Sequence, residues 1–273
     1  MRLVLCLPLI AGVFVCACNS GSSGGSPSTD SAACASGSPL SGASYDITKS
    51  AFAFGSAPVE QSAGGLDRWV GSDGVVAISS NGSEMGIMNA TAPESSLPDW
   101  STDTSMLEAH ASAYWVSMGV ASCEISGTGI DTSVSGGGSI DGGSFQNVSQ
   151  NIVTLQRGVQ GVRVVESLAV ARFDVDDQTT VENFYWPEIP ADVVSTAIAF
   201  SSQLADPSAL AAYKAKLPAD AQGQGSVVVH HSSSFSMSPF QAAATYDVIQ
   251  TTPEDDGGEL SFDQNGNPVT TVW

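Results

Sequence analysis

Between residues 162 and 175 the chain reads VRVVESLAVARFDV, an alternation sustained over fourteen positions. Val162, Val164, Leu168 and Val170 fall on one side, and Val165, Ala169, Ala171, Phe173 and Val175 on the other. Period-two spacing of this kind predicts a strand. DDQT (176–179) predicts a turn and VENFYW (181–186) a returning strand, so 162–186 is expected as one long antiparallel hairpin. WPEIP (186–190) ends it, because proline is poorly tolerated inside a sheet. IVTL (152–155) is strand-like too. So is VVAI (75–78), set between DG and NG turn dipeptides within a stretch, 52–89, of strand-like pieces broken by turns.

The period changes at SMLEAHASAYWVSMG (105–119). Leu107, Ala111, Tyr114 and Met118 recur at helical spacing, Ser105 and Glu108 form a capping-box pair, and Gly119 stands where a helix-ending glycine belongs. Asp192 is expected to cap a second helix over 193–204. Asp206 caps a third over 206–217, with Pro207 at its first position, Lys214 and Lys216 in its last turn, and Pro218 ending it. Strands follow at 226–231, 242–249 and 258–262, and an Asn265–Gly266 turn leads into a last one at 269–273. The Gly/Ser-rich stretch 127–143 reads as an irregular loop or weak hairpin, which makes 127–150 a candidate sub-boundary. Together these elements predict an α+β fold, an antiparallel sheet with packed helices.

The N-terminus follows different rules. Arg2 is the only charge ahead of an apolar run from Leu3 to Val15. That run is shorter than the roughly 20 residues needed to span a bilayer, and it reads as an export signal over 1–17. Its end, Val15-Cys16-Ala17-Cys18, resembles the lipobox of bacterial lipoproteins: an aliphatic residue, a small one, Ala or Gly, then the cysteine that is acylated. The resemblance implies lipidation of Cys18 and stable anchoring, since each buried CH₂ adds about 0.8 kcal/mol. Asn19 stands where an Asp would direct inner-membrane retention in enteric bacteria, which points to the outer membrane or cell surface. Residues 18–43, rich in Ser, Gly and Ala, then form an expected tether to an ectodomain over 44–273. Loss of the signal leaves Cys34 and Cys123 beside the acylated Cys18. In an oxidising compartment two such thiols pair; the alternative is Cys123 as a small buried hydrophobe and Cys34 as a free thiol.

Charge narrows the partners. Acidic residues outnumber basic ones 28 to 8, a formal net charge of −20. Such a chain repels phosphate backbones and gains nothing from anionic lipid, so nucleic acid is excluded as a partner. The expected partners are the membrane, through the acyl chains, and a protein of the envelope. The chain has no H-E-x-x-H, no Walker loop and no dinucleotide fingerprint, and G-x-S-x-G at 21–25 has no strand before it and no helix after it. No cofactor is expected. His230 and His231 are adjacent in a strand and point to opposite faces, which keeps them from sharing a metal. His110 is expected in or beside the core. The acidic clusters at Asp174, Asp176 and Asp177 and at Glu254, Asp255 and Asp256 read as solvated turns, with weak Ca²⁺ binding as the alternative. DQNGN (263–267) has its glycine too early for a calcium loop and reads as a hairpin turn.

TLQRGVQGVRVVES (154–167) and the hairpin after it resemble the FTP/PepSY group of small exported domains, with Arg163 in place of the group's usual proline. The resemblance covers about 150–186. It implies a cystatin-like arrangement, a helix packed on an antiparallel sheet, and a domain that binds rather than catalyses. On that reading the hairpin would present Phe184, Tyr185 and Trp186 as contact aromatics; the alternative is that they are core, which alternation gives for two of the three. The leading expectation is therefore a lipid-anchored ectodomain with a binding or structural role. The alternative is an envelope hydrolase whose site no motif reveals.

Overall fold

The computed structural model describes residues 34, 37–45, 59–63, 66–70, 74–79, 85–89, 105–138, 144–173, 179–233, 239–249 and 259–269; in 59–89, 134–149 and 179–180 it describes the backbone path only. Four short strands come first: β1 (Val59–Ala63), β2 (Leu66–Val70), β3 (Gly74–Ser79) and β4 (Met85–Asn89). Helix α1 (Ser105–Ser117) and a 3₁₀ turn (Ser122–Glu124) lead into a long hairpin, β5 (Ile125–Gly138) and β6 (Ser144–Val159). Then come β7 (Val162–Val164), β8 (Leu168–Phe173) and β9 (Thr179–Tyr185). Helices α2 (Ala191–Leu204) and α3 (Pro207–Lys214) precede β10 (Gly225–His231), β11 (Ala242–Ile249) and β12 (Glu259–Phe262).

All twelve strands join one sheet, in the order β1-β2-β3-β4-β9-β8-β6-β7-β10-β11-β12, with β5 pairing β6. Among the described residues only β7 and β10 run parallel, at Val228↔Arg163 and Val229↔Val164. The fold is α+β, a mostly antiparallel sheet with packed helices. Of the stretch 127–143, expected as an irregular loop or weak hairpin, residues 127–138 form the hairpin alternative as part of β5 paired with β6, so the candidate sub-boundary falls inside the sheet's longest pairing.

The expected fourteen-residue strand is broken. The chain leaves β6 through a tight turn with Gln160 at φ 48° and Gly161 at φ 83°, the two positive values a type I′ turn requires. β7 then pairs with β6 as far as Arg157↔Val164, and β8 resumes at Thr154↔Val170. Between those two pairs the β7–β8 side holds five residues (165–169) against two (155–156) on β6. The surplus is absorbed at Val165–Ser167, where Glu166 adopts φ 63°. Val165 donates its N–H to Val229 O on β10 (2.9 Å).

Both helical layers lie on one face of the sheet. α1 presses Leu107, Ala111 and Trp115 onto Val153, Leu155, Ala171, Phe173 and Phe184. Trp115 takes the place expected for Tyr114, which is only partly buried. α2 and α3 bring Val194, Ala197, Phe200 and Tyr213 onto Val162, Val164, Val229, Tyr246 and Val248. Leu155 belongs to the first cluster and Val159 to the second, so Arg157, between them on the same face of β6, sits at the seam.

The last part of the expected tether also belongs to the fold. Leu40 and Ile189 exchange backbone hydrogen bonds (3.0 and 3.1 Å), and Ala43 donates to Trp186 O (2.8 Å). Leu40 is fully buried in the second cluster, and Ala43 and Tyr45 belong to the first.

Candidate functional site

Several buried polar residues gather around the β7–β8 break. Glu166, turned by its positive φ, directs Oε1 at His230 Nδ1 (2.8 Å) and accepts the His231 backbone N–H on Oε2 (3.2 Å). His230 Nε2 faces Asp247 Oδ2 across the β10–β11 pair (2.7 Å), and Asp247 Oδ1 accepts from Thr245 Oγ1 (2.7 Å). A carboxylate only accepts, so both ring nitrogens must donate and the ring is an imidazolium. Burial alone would lower the His230 pKa, but the hydrogen bonds to Asp247 and Glu166 overcome that and hold it at about 9. Burial would likewise raise Asp247; His230 and Thr245 keep it below the usual carboxylate range instead.

His231 points to the opposite face, as the strand requires. It is fully buried, and Nδ1 lies 3.0 Å from Ser232 O. A carbonyl only accepts, so Nδ1 carries the proton and Nε2 accepts from Ser167 Oγ (2.8 Å). Burial pushes the His231 pKa down to about 4, with the Arg157 cation adding to the push against Ser232 and Glu166.

Arg157 Nη1 donates to Ser167 Oγ (3.3 Å) and to Pro187 O (2.7 Å), and Nη2 donates to Ser41 O (3.0 Å). Its Nε and Nη2 meet Glu124 Oε2 at 2.8 and 2.7 Å, both side chains being fully buried. Glu124 also accepts from the Ser41 backbone N–H (2.7 Å) and Trp186 Nε1 (3.1 Å), and the guanidinium lies 4.8 Å from the Trp186 ring centre. Burial lowers the Arg157 pKa, and Glu124 opposes it. A continuous polar chain thus runs from Glu124 through Arg157 and Ser167 to His231.

A serine hydroxyl bonded to a histidine resembles a nucleophile–base pair, yet the wiring differs from one that catalyses. A catalytic histidine holds its Nδ1–H against a group that stabilises the imidazolium formed in the reaction. Here that position is a neutral carbonyl, with the Arg157 and His230 cations nearby. Among the described residues no group of three or more His, Cys, Asp and Glu side chains is placed to hold a metal ion.

Phe184, Tyr185 and Trp186, expected as presented aromatics, are all core, with 0 %, 2 % and 0 % of their surface exposed. The strand is covered on both faces: Phe184 stacks on Trp115, while Tyr185 contacts the His231 ring and donates to Ser232 O (3.0 Å). Cys34 and Cys123 form a disulfide with Cα atoms 6.0 Å apart. His110, expected in or beside the core, is exposed with its ring edge toward Phe173. Cys18 and the acidic clusters at 174–177 and 254–256 lie outside the described residues. Asp263 closes a turn by accepting from Asn265 N, Asn267 N and Asn267 Nδ2, as expected of a hairpin turn.

Sequence reasoning passed over Glu124, Arg157, Glu166, Ser167 and Asp247. One signal was present: Glu166 and Ser167 are consecutive polar residues inside an otherwise apolar alternation. No family model matches the chain, and neither a curated protein nor a solved structure matches it.

Proposed function

We propose that this is a lipid-anchored protein of the bacterial cell envelope, held at the outer membrane or cell surface through Cys18, whose ectodomain binds or supports without catalysing. One observation carries the non-catalytic half: each ring nitrogen of His230 and His231 is engaged, and the His231 Nδ1–H is spent on a backbone carbonyl. Taking a proton from Ser167 would create a second buried cation beside Arg157 with no carboxylate on Nδ1 to stabilise it. The anchoring half rests on the lipobox-like Val15-Cys16-Ala17-Cys18, and the Cys34–Cys123 bridge agrees with an oxidising compartment. In detergent phase separation the wild type should enter the detergent phase and Cys18→Ser the aqueous phase; wild type in the aqueous phase refutes the anchor.

The 2.8 Å contact between Ser167 Oγ and His231 Nε2 favours a second reading, an envelope hydrolase with Ser167 as nucleophile. The two separate on one assay. The purified protein should turn over no peptide, ester or glycoside reporter, whereas hydrolysis abolished by Ser167→Ala establishes the hydrolase.

A further inference from the structure

A cavity of about 650 Å³ opens on the face of the sheet away from α2 and α3. Val227, Val229, Tyr246 and Val248 turn toward the helices, so the residues alternating with them turn toward the cavity. Arg163 lies on one side, Asp247 and Glu259 on the other, with Val165, Val228 and Ile249 as the apolar lining. Ile249 keeps 64 % of its surface exposed, one of few large apolar side chains among the described residues to do so.

The charges are arranged by sign. Arg163 is exposed and, among the described residues, has no hydrogen-bond or ion-pair partner, in a chain with only 8 basic residues. Asp247 is held in place by His230 and Thr245 (2.7 Å each), and Glu259 lies beside Asp247. A purely cationic ligand would meet Arg163, and a purely anionic one would meet the two carboxylates. A dipolar ligand with an apolar middle satisfies both ends. The registers Val228↔Arg163, Val228↔Thr245 and Ile249↔Glu259 place the two ends three strands and four positions apart, about 20 Å at the backbone. Long side chains reaching inward shorten that gap toward the roughly 10 Å length of an extended tripeptide. The volume falls within the range of small-ligand sites.

We propose that this cavity binds short peptides with free termini and apolar side chains: the carboxylate on Arg163, the ammonium on Glu259 beside Asp247, the side chains over Val165, Val228 and Ile249. The proposal rests on the binding reading above and gives that reading a ligand class. Partial burial and the nearby Asp247 raise the Glu259 pKa against the pull of the His230 and Arg163 cations, and an ammonium would add to that pull.

The test is calorimetric titration of the full-length protein in detergent with Ala-Leu-Ala, its N-acetyl form and its C-terminal amide, with the peptide's mass checked afterwards. Saturable binding of the free peptide is expected, with each blocked form weaker by at least about tenfold. Arg163→Gln should bind acid and amide alike, and Glu259→Gln should bind free and acetylated peptide alike, both variants keeping the wild-type circular dichroism. Equal binding of all three peptides to wild type, or none up to about 10 mM, overturns the proposal, since millimolar affinity is the weakest such a site should show. An intact but unbound peptide overturns this site alone. A cleaved peptide overturns the non-catalytic reading and this proposal with it.

Discussion

Glu182 is a residue whose protonation the fold controls through burial. It is fully buried beneath α1 and accepts from Tyr45 Oη (2.7 Å). Burial raises its pKa from 4.5 to about 7, and Tyr114 and Tyr45 only partly oppose the shift. A carboxyl raised in the folded state binds its proton more tightly there than in the unfolded chain. Its contribution is therefore complete below pH 4.5 and lost as pH rises through 7. The shift corresponds to about 3 kcal/mol. Glu182→Gln, which is always neutral, should be more stable than wild type at pH 8, by up to that amount relative to their difference at pH 4; urea unfolding at the two pH values measures it. In the sequence, alternation put Glu182 on the same face as Phe184 and Trp186. Nothing local said that this face would be sealed by a helix some seventy positions upstream.

At the scale of elements, what depends on neighbours in sequence was legible and what depends on distant partners was not. Asp206 caps α3 as expected, its Oδ1 accepting from Ser208 N (2.7 Å) and Ala209 N (2.9 Å). α2 begins behind Pro190 rather than Asp192, which lies in the first turn. The Glu108 carboxylate, expected in a capping box, accepts from Thr128 Oγ1 (2.8 Å) on β5. The β7–β8 break could not be read, because Glu166 is turned by histidines more than sixty positions away. Close approach also fixes the start of β10. A Cβ on Gly225 would fall inside Asp247 O and against the Tyr246 ring. Gly225→Ala should therefore destabilise by about 1–3 kcal/mol, seen as a lower urea midpoint at unchanged slope.

For the molecule as a whole, the two histidines oppose each other with pH. His231, lowered to about 4, gives stability that is complete above pH 6.5 and lost as pH falls through 4. His230, raised to about 9, gives stability that is complete below pH 6.5 and lost as pH rises through 9. Glu182 adds to the loss on the alkaline side. Thermal melts from pH 4 to 10 should peak at about pH 5, where the His231 gain and the Glu182 loss balance, and a melting temperature rising steadily to pH 9 would contradict this balance. The disulfide acts over a similar reach. It joins residues 89 apart, and on the loop-entropy model replacing both Cys34 and Cys123 by Ser should lower unfolding free energy by about 4–5 kcal/mol. The pairing was readable by counting the thiols that an expected export signal would leave, and the fold class from the periodicities. That one sheet spans two cores with a buried charge pair at their seam was not readable, because Arg157 and Glu124 occupy no periodic pattern.

The strap that begins with Leu40 also sets a schedule. A polypeptide is made from its N-terminus, and Leu40 pairs with Ile189, 149 positions later. At synthesis rates of about 5–20 residues per second, Leu40 waits roughly 7–30 s for its partner strand to exist. Cys123 precedes Ile189 in the chain, so the partner of Cys34 is made well before the strand that completes the cavity for Leu40. Ser41, Arg157 and Trp186 must then converge on Glu124, and the last of these arrives with the strap's own partner. The two cores therefore become one body late, when the stretch from Trp186 to Ile189 passes beneath a segment that was made first.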